Sequence, residues 1–589
     1  MIRKIINQIL YWRLKHIGNR TFLIIASALV GIISALAAVI LKTAVHLLHG
    51  IPHYYQLYSN NNFWLFFFPI LGVIVTIIII KIFFQGKIEK GLGSIIYSVS
   101  HKSSRVEKTK TYSQLITSGF TVGLGGSAGL EAPIAITGAA IGSNISTFFN
   151  LGHRERTILL ACGAASGIAA VFNSPIAGVL FALEVILTDF TVPSFIPLLI
   201  STATATIVSK LLYKGQLFYL ISNDWYFHAI PFYIVLGIIC GFLSVYMKRV
   251  TLSMESFFNS PKRHAFKRIT GLVLLGLLIF LLPPLFGEGY STIESLLKGS
   301  YSDLLNNSIF GALKNNPWGI LSVTLMIILV KVIATSLTTD TGGNGGIFAP
   351  SLFTGALTGF GLSFFVNTIG ISNLYVSNFV VVGMAGVMSG VVHAPLTAIF
   401  LIAEITGGYV LFIPLMIVSA LAYFITRIFE PYSVYTKKLA QKGELLSEDK
   451  DSNVLKHLKV EDLIENDFIT LNVNDKLQNL IDAFSISNRN VFPVINDEGE
   501  FFGIISLDNV KDLLFRTSLY NKLKLSVITQ KIITIDYNEN MDSVMAKFEK
   551  TKLWNLPVLK GKEYMGFLSR SNILTYYRQT LKRTGSGFL

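Results

Sequence analysis

The chain has 589 residues, 52% of them hydrophobic and only 14% charged, and a net charge of +15. A soluble globular domain carries roughly 25% charged residues, so the composition excludes a wholly soluble protein, and the length allows several domains. The positive charge does not point to nucleic acid, because it gathers at the ends of apolar segments. Arg3, Lys4, Arg13, Lys15 and Arg20 precede the first, and Lys262, Arg263, Lys267 and Arg268 lie between two later ones.

Lysine and arginine in short loops mark the cytoplasmic side of a membrane, so residues 1–20 read as a cytoplasmic N-terminal segment. The apolar run 21–47 is too long for a signal-peptide core and predicts a retained transmembrane helix. Segments of spanning length follow at 63–84, 192–213, 228–250, 268–286, 320–339 and 409–428. Others are short or broken by Gly and Pro: 113–128, 131–149, 156–172, 175–189, 348–366, 378–391 and 395–406. Bare helix ends are not tolerated against lipid but are tolerated around a buried polar cavity. Broken segments at matching places in two halves mark a transport site. Cys162 and Cys240 lie in apolar segments, so no disulfide framework is implied. His153, His228 and His393 are far apart in sequence and no H-E-x-x-H occurs, which argues against a metal centre and against a membrane-embedded enzyme.

The halves do match. Gly125-Gly126-Ser127-Ala128-Gly129-Leu130-Glu131-Ala132-Pro133 aligns with Gly342-Gly343-Asn344-Gly345-Gly346-Ile347-Phe348-Ala349-Pro350, both as G-G-x-x-G-x-x-A-P. Thr137-Gly138-Ala139 pairs with Thr354-Gly355-Ala356, Gly163 with Gly383, Pro175 with Pro395 and Glu184 with Glu404. The offset is 217 at the first block (125 against 342) and 220 at the later ones (163 against 383). The membrane part is therefore a tandem repeat, at about 63–213 and 228–430.

Residues 437–589 have the composition of a soluble protein and carry a repeat of their own. Val460-Glu461-Asp462-Leu463, a helical stretch near 475–488, Val491-Phe492-Pro493-Val494 and Gly503-Ile504-Ile505-Ser506 form one copy. A helical stretch near 541–551, Leu556-Pro557-Val558 and Gly566-Phe567-Leu568-Ser569 form the other. Each alternates short β-branched runs with helices, an α/β pattern. The tail lacks Cys and follows a basic loop, which assigns it to the cytoplasm.

A small anion inside a bilayer needs compensation for its lost hydration, and a lysine would hold it too tightly for rapid passage. Unpaired N–H groups at a helix start, helped by the helix dipole, suit the task, since an ion must be bound firmly enough to be admitted and weakly enough to leave. Glycines ahead of a helix let the backbone approach a ligand, and Pro133 and Pro350 stand near the first turn, where Pro is favoured. Two such helix starts could converge on one ion. Glu131 is a carboxylate at one of them, and intramembrane acids are functional more often than not. A carboxylate there can cap its helix, or it can occupy the anion site and leave when an anion displaces it or a proton neutralises it. Burial favours the neutral form, which makes such a gate sensitive to pH.

The block around Glu131, the block Gly346-Ile347-Phe348-Ala349-Pro350 and the tail repeat together resemble the CLC family of chloride channels and proton-coupled anion exchangers, with a C-terminal pair of CBS domains. The resemblance covers nearly the whole chain. It implies an all-α polytopic membrane domain of two related repeats, taken as inverted, followed by an α/β CBS pair. The boundaries expected are an N-terminal segment at 1–20, the membrane domain at 21–436, a linker at 437–456, and CBS domains at 457–515 and 525–580. It also implies a homodimer in the cell membrane with both termini cytoplasmic, no required cofactor, and bound chloride. Residue by residue, Glu131 matches the gating glutamate. Gly129, Leu130, Gly346, Ile347, Phe348 and Tyr435 match the anion-binding positions.

Three departures bear on function. The family serine of a G-S-G-x-P stretch is replaced by Leu92 in Gly91-Leu92-Gly93-Ser94-Ile95, which removes a hydroxyl from the inner part of the site. Ser94 is a candidate substitute, but it stands two residues away. Fluoride exporters lack that serine too, but replace it differently. Val185 follows Glu184 where proton-coupled members carry an internal acid, so channel-like anion flow is expected, with a proton-coupled exchanger as the alternative. Glu184 and Glu404 are expected to hold helices together. In the tail, Asn509 and Asn572 replace the acid of a G-x-x-S/T-x-x-D nucleotide pattern, losing a charge-assisted contact and leaving adenine nucleotide as a candidate ligand only. A divalent-cation transporter with a CBS sensor needs carboxylates lining its path, and a mere anchor for a nucleotide sensor needs neither the glycine blocks nor Glu131.

Overall fold

The computed structural model describes residues 13, 15–59, 63–86, 88–187, 192–213, 224–260, 264–306, 308–442 and 458–585. The basic stretch through residue 12 and most of the expected linker, 443–457, lie outside the described residues. The chain divides into two compact units, Met1–Leu445 and Leu446–Leu589.

The first unit is helical. Its helices are α1 (Asn19–Ser59), α2 (Trp64–Phe83), α3 (Gly93–His101), α4 (Lys110–Gly123), α5 (Glu131–Phe148), α6 (His153–Phe172), α7 (Pro175–Phe181), α8 (Val192–Leu212), α9 (Ile230–Asn259), α10 (His264–Leu281), α11 (Tyr290–Leu297), α12 (Pro317–Asp340), α13 (Phe348–Ile369), α14 (Val376–Val392), α15 (Pro395–Ile405), α16 (Phe412–Phe429) and α17 (Lys437–Gln441). Among the described residues, eight helices are long and apolar enough to cross a membrane. Many large apolar side chains on these helices are exposed, Ile40, Leu47, Ile82 and Leu211 among them, the surface expected of a lipid-facing protein.

The packing repeats as the sequence does. Membrane helices approach closely where small residues line the contact. In α5 and α6, a Cβ added to Gly138 would lie 2.0 Å from the Gly163 carbonyl oxygen, and one on Gly163 would lie 1.9 Å from that of Gly138. In α13 and α14, Gly355 and Gly383 show the same reciprocity at 2.2 Å each. Asn173 and His393, at equivalent positions, end α6 and α14 with left-handed φ of 55° and 61°. Pro175 and Pro395 then open α7 and α15.

One boundary differs from expectation. The trio α1, α6 and α8 packs as α9, α14 and α16 do. The first repeat therefore begins with α1 rather than near residue 63, because α1 is the counterpart of α9. Three short helices were not legible as apolar runs: α3, α11 and α17. The last occupies the start of the expected linker, tied down by buried Leu439 and by the Lys437–Glu430 ion pair.

The second unit holds two three-stranded sheets. In one, β1 (Leu471–Asn472) runs parallel to β2 (Val491–Ile495), which is antiparallel to β3 (Phe501–Ser506). In the other, β4 (Ile535–Asp536), β5 (Asn555–Lys560) and β6 (Glu563–Ser569) repeat that order. The copies exchange their leading segments. Val460 and Leu463 pack in the core of the second sheet, and Leu525 in that of the first. Bridges Glu465–Phe567 and Ile504–Gln530 fasten the exchange. The stretch 460–463, assigned to the first copy by order in the chain, thus completes the second copy's core.

A Cβ at Gly359 would fall 1.8 Å from the Phe379 carbonyl oxygen, whereas one at Gly361 has its nearest neighbour at 3.9 Å. Gly359→Val should cost about 3 kcal/mol, the upper end of overpacking, and lower the melting temperature in detergent. Gly361→Ala should leave it unchanged or raise it.

Candidate functional site

The two glycine blocks meet. After α4 the chain turns at Gly125, with φ 98°, and after α12 at Gly342, with φ 139°, conformations open to glycine. An added Cβ at Gly125 would also strike the Phe286 ring at 2.0 Å. The Gly129 N–H then donates to the Gly346 carbonyl at 2.8 Å, and the Gly346 N–H donates to the Gly129 carbonyl at 2.7 Å. This antiparallel bridge sets the start of α5 beside the start of α13.

A second layer of exchanged bonds supports it. The Ser127 N–H donates to Thr338 Oγ1 and the Asn344 N–H to Thr121 Oγ1, both at 3.0 Å. Thr121 and Thr338 stand at equivalent positions of the two repeats, so each half holds the other's loop. The same reciprocity recurs at the carboxylates outside the blocks. Glu184 accepts the amides of Leu396 at 3.0 Å and Thr397 at 2.7 Å, at the start of α15. Glu404 accepts those of Ile176 at 3.0 Å and Ala177 at 2.9 Å, at the start of α7. Both act as helix caps supplied from the other repeat.

Glu131 is fully buried at the first residue of α5. Its Oε1 accepts the Tyr290 hydroxyl at 2.5 Å. Its Oε2 has no hydrogen-bonding partner among the described residues and would lie 2.1 Å from a Cβ on Gly129, so no larger residue than glycine fits there without displacing the carboxylate. The backbone amides facing this carboxylate are its own and that of Ala349 in the first turn of α13. The carboxyl group therefore lies against the N-terminus of the other repeat's helix, the place a helix start offers to an anion. Leu130 and Ile347 are the residues preceding the two helices. Phe348 is buried, with its ring 5.6 Å from that of Phe172.

Tyr435 lies within electrostatic reach of the Glu131 carboxylate, and its hydroxyl is buried with no hydrogen-bonding partner among the described residues. Its carbonyl oxygen would be 2.9 Å from a Cβ on Gly93, the first residue of α3. Leu92 precedes that helix and is buried. The structure thus brings Leu92 and Tyr435 together as neighbouring segments. Ser94 does not stand in for the missing hydroxyl, since its Oγ donates to the Gly91 carbonyl at 3.2 Å and accepts from Lys110 Nζ at 3.2 Å. The Tyr435 segment is fastened by Glu430, which pairs with Arg249 at 2.9 Å and with Lys437. Val185 lies in a π-turn, Ala182–Ile186, half-buried against the membrane core.

Four groups near Glu131 were not singled out from sequence. Glu288 Oε1 accepts the Leu130 N–H at 3.3 Å, and Tyr290 follows two residues later. Lys331 is fully buried and donates to the carbonyls of Leu285 at 3.2 Å and Gly287 at 2.9 Å, above the Phe353 ring at 4.7 Å. Lys42 donates to the Val171 carbonyl at 2.7 Å, and both lysines act electrostatically on Glu288. A lysine inside each of two apolar helices was the available signal. Glu288 and Tyr290 also line a cavity of about 430 Å³ with His49, Leu65 and Phe286.

In the tail, Asn572 Nδ2 donates to the Leu463 carbonyl at 2.9 Å, and Asn509 Nδ2 donates to Gln530 Oε1 at 2.7 Å. Glu465 accepts the Ser569 hydroxyl and pairs with Arg489. Among the described residues no cluster of His, Cys, Asp or Glu could hold a metal ion.

The family model described as "Voltage gated chloride channel" matches residues 71–427, and the CBS domain model matches 460–516 and 524–579. The chain is 27% identical over 452 residues to the chloride channel protein CLC-e of Arabidopsis thaliana, covering 69% of this chain and 60% of that protein. It is 30% identical over 327 residues to the H(+)/Cl(-) exchange transporter ClcA of Vibrio campbellii, covering 53% of this chain and 65% of the relative. The chain thus spans less than two thirds of the length of either protein. Among solved structures, a slow cyanobacterial Cl-/H+ antiporter superposes with a TM-score of 0.62 at 22% identity, over 72% of this chain and 98% of that one. A eukaryotic CLC transporter superposes at 0.59 and 18% identity, over 93% and 97%. A CLC-type fluoride/proton antiporter does so at 0.56 and 21%, over 70% and 97%. With the family model matched over residues 71–427 and a paired CBS tail, this helical membrane protein belongs to the voltage gated chloride channel family, the CLC proteins.

Proposed function

We propose that the protein passes chloride across the cell membrane along a path through the junction of α5 and α13, with Glu131 as its gate and without proton coupling. The observation that carries this reading is the Glu131 carboxylate lying against the start of α13 while the two glycine blocks hold each other. The amides of Ile347 and Phe348 and the Tyr435 hydroxyl receive the ion inward of Glu131. When an anion displaces the carboxylate, or a proton neutralises it, the path opens. Gly129 and Leu130 frame the outer part of the site. Leu92 supplies no hydroxyl at its inner part, so selectivity there rests on the backbone and Tyr435.

Val185 supports the uncoupled reading, since valine carries no proton and Glu184 beside it is committed to the start of α15. The alternative is a proton-coupled exchanger, favoured by the names of the Vibrio and cyanobacterial proteins. Fluoride is the less favoured substrate, suggested by one antiporter of the same fold and by the absent serine. Both termini are proposed to be cytoplasmic and the assembly a homodimer. For the tail, the engagement of Asn509 and Asn572 within the protein and the carboxylate of Glu465 beside Ser569 support a packing module without adenine nucleotide.

Efflux from proteoliposomes tests the transport reading. Chloride should leave with an ionophore-independent proton balance of zero, and Glu131→Gln should conduct while losing most of the pH dependence. Protons driven uphill by a chloride gradient would establish the exchanger instead. Tyr290→Phe removes the hydroxyl that holds the gate closed, a charge-assisted bond worth about 1.5–3 kcal/mol, and should raise chloride flux at neutral pH by roughly ten- to a hundredfold. Calorimetry of the purified chain with ATP, ADP or AMP should give no binding heat.

A further inference from the structure

Glu288 holds the N–H of Leu130, the residue immediately before Glu131. That amide is among the donors an anion would use on reaching the start of α5, because a helix start leaves its first amides without partners in the helix. Two carboxylates thus engage this start: Glu131 from within α5, and Glu288 from the loop between α10 and α11. The cavity of about 430 Å³ is lined by Glu288 and Tyr290 but not by Glu131. Its other walls include His49 near the far end of α1 and Leu65 at the start of α2. It therefore opens on the membrane face opposite the beginning of α1, and two of its lining residues reach the start of α5: Tyr290 through the Glu131 carboxylate and Glu288 through the Leu130 amide.

The loop is built to keep the carboxylate there. Lys331 of α12 clamps the carbonyls of Leu285 and Gly287, and a Cβ on Gly289 would strike the Phe353 ring at 2.4 Å. The charged and titratable groups facing Glu288 are Glu131 from α5, Lys42 from α1, Lys331 from α12, Tyr290 from α11 and Tyr213 just after α8, with His49 on the shared cavity wall. Two lysines lie opposite two carboxylates, so the cluster balances in charge when all four are ionised. An arriving anion can take a carboxylate's place among them without changing that balance only if the carboxylate withdraws into the cavity or is protonated.

We propose that Glu288 is a second, outer gating carboxylate, which occupies the Leu130 amide and must yield it before an anion reaches Glu131. The proposal rests on the anion-transport reading above. It predicts a competitor for chloride from the cavity side, distinct from the Glu131 gate.

Chloride titration of the purified full-length protein by calorimetry tests it, alongside efflux from proteoliposomes. Glu288→Ala should bind chloride about tenfold more tightly than the parent, the effect of removing one charge-assisted competitor. Glu288→Asp keeps the charge but is too short to reach the Leu130 amide, and should also tighten binding, by a smaller factor. Parent-like affinity in both variants overturns the proposal. Tighter binding in Glu288→Ala with parent-like binding in Glu288→Asp also overturns it, because the effect would then be that of a distant charge. If Glu288→Ala does not fold, Glu288→Asp alone decides between the two outcomes. A parent protein that neither binds nor passes chloride would instead refute the transport reading.

Discussion

Moving an ion of carboxylate size from water into a medium of dielectric constant about 4 costs of order 20 kcal/mol before the surroundings relax. A helix dipole returns at most about 2 kcal/mol of that at one terminus. A single helix start is therefore insufficient, and each added amide contributes about 1.5–3 kcal/mol when its partner is charged. The constraint that shapes this membrane unit is the need to bring several unpaired amides to one buried point. The bridge between Gly129 and Gly346 meets it by setting two helix starts side by side.

Duplication makes this arrangement affordable in sequence terms, since one structural solution is used twice. Each half completes the other: Thr121 and Thr338 hold the opposite loops, and Glu184 and Glu404 cap the opposite helices. Removing either partner exposes a helix end in the other repeat, so the two halves stand or fall together. The tail obeys the same logic on a smaller scale, with leading segments exchanged between its two sheets. The central asymmetry is Glu131 against Phe348. One helix start carries a carboxyl group and the other carries an apolar side chain packed on Phe172.

Much of this was legible in the residues. The fixed offset between glycine blocks revealed the duplication, because close helix crossings and positive-φ turns admit little but glycine at those positions. Glu131 stood out as an acid in an apolar stretch. What was not legible follows from the limits of local pattern. α3 and α11 are too short to register as apolar runs, and α17 is polar. Glu288 and Tyr290 read as an ordinary loop, since their meaning comes from a contact with residues about 160 positions earlier. The exchange of residues 460–463 into the second sheet is equally invisible to any reading that follows chain order.

The most direct measurement is anomalous diffraction from crystals of the full-length protein grown in bromide, a heavier stand-in for chloride. The account places a bromide peak at the amides of Ile347 and Phe348, within reach of the Tyr435 hydroxyl. Bromide found only away from the Gly129–Gly346 junction, with those amides unoccupied at saturating concentration, would contradict it.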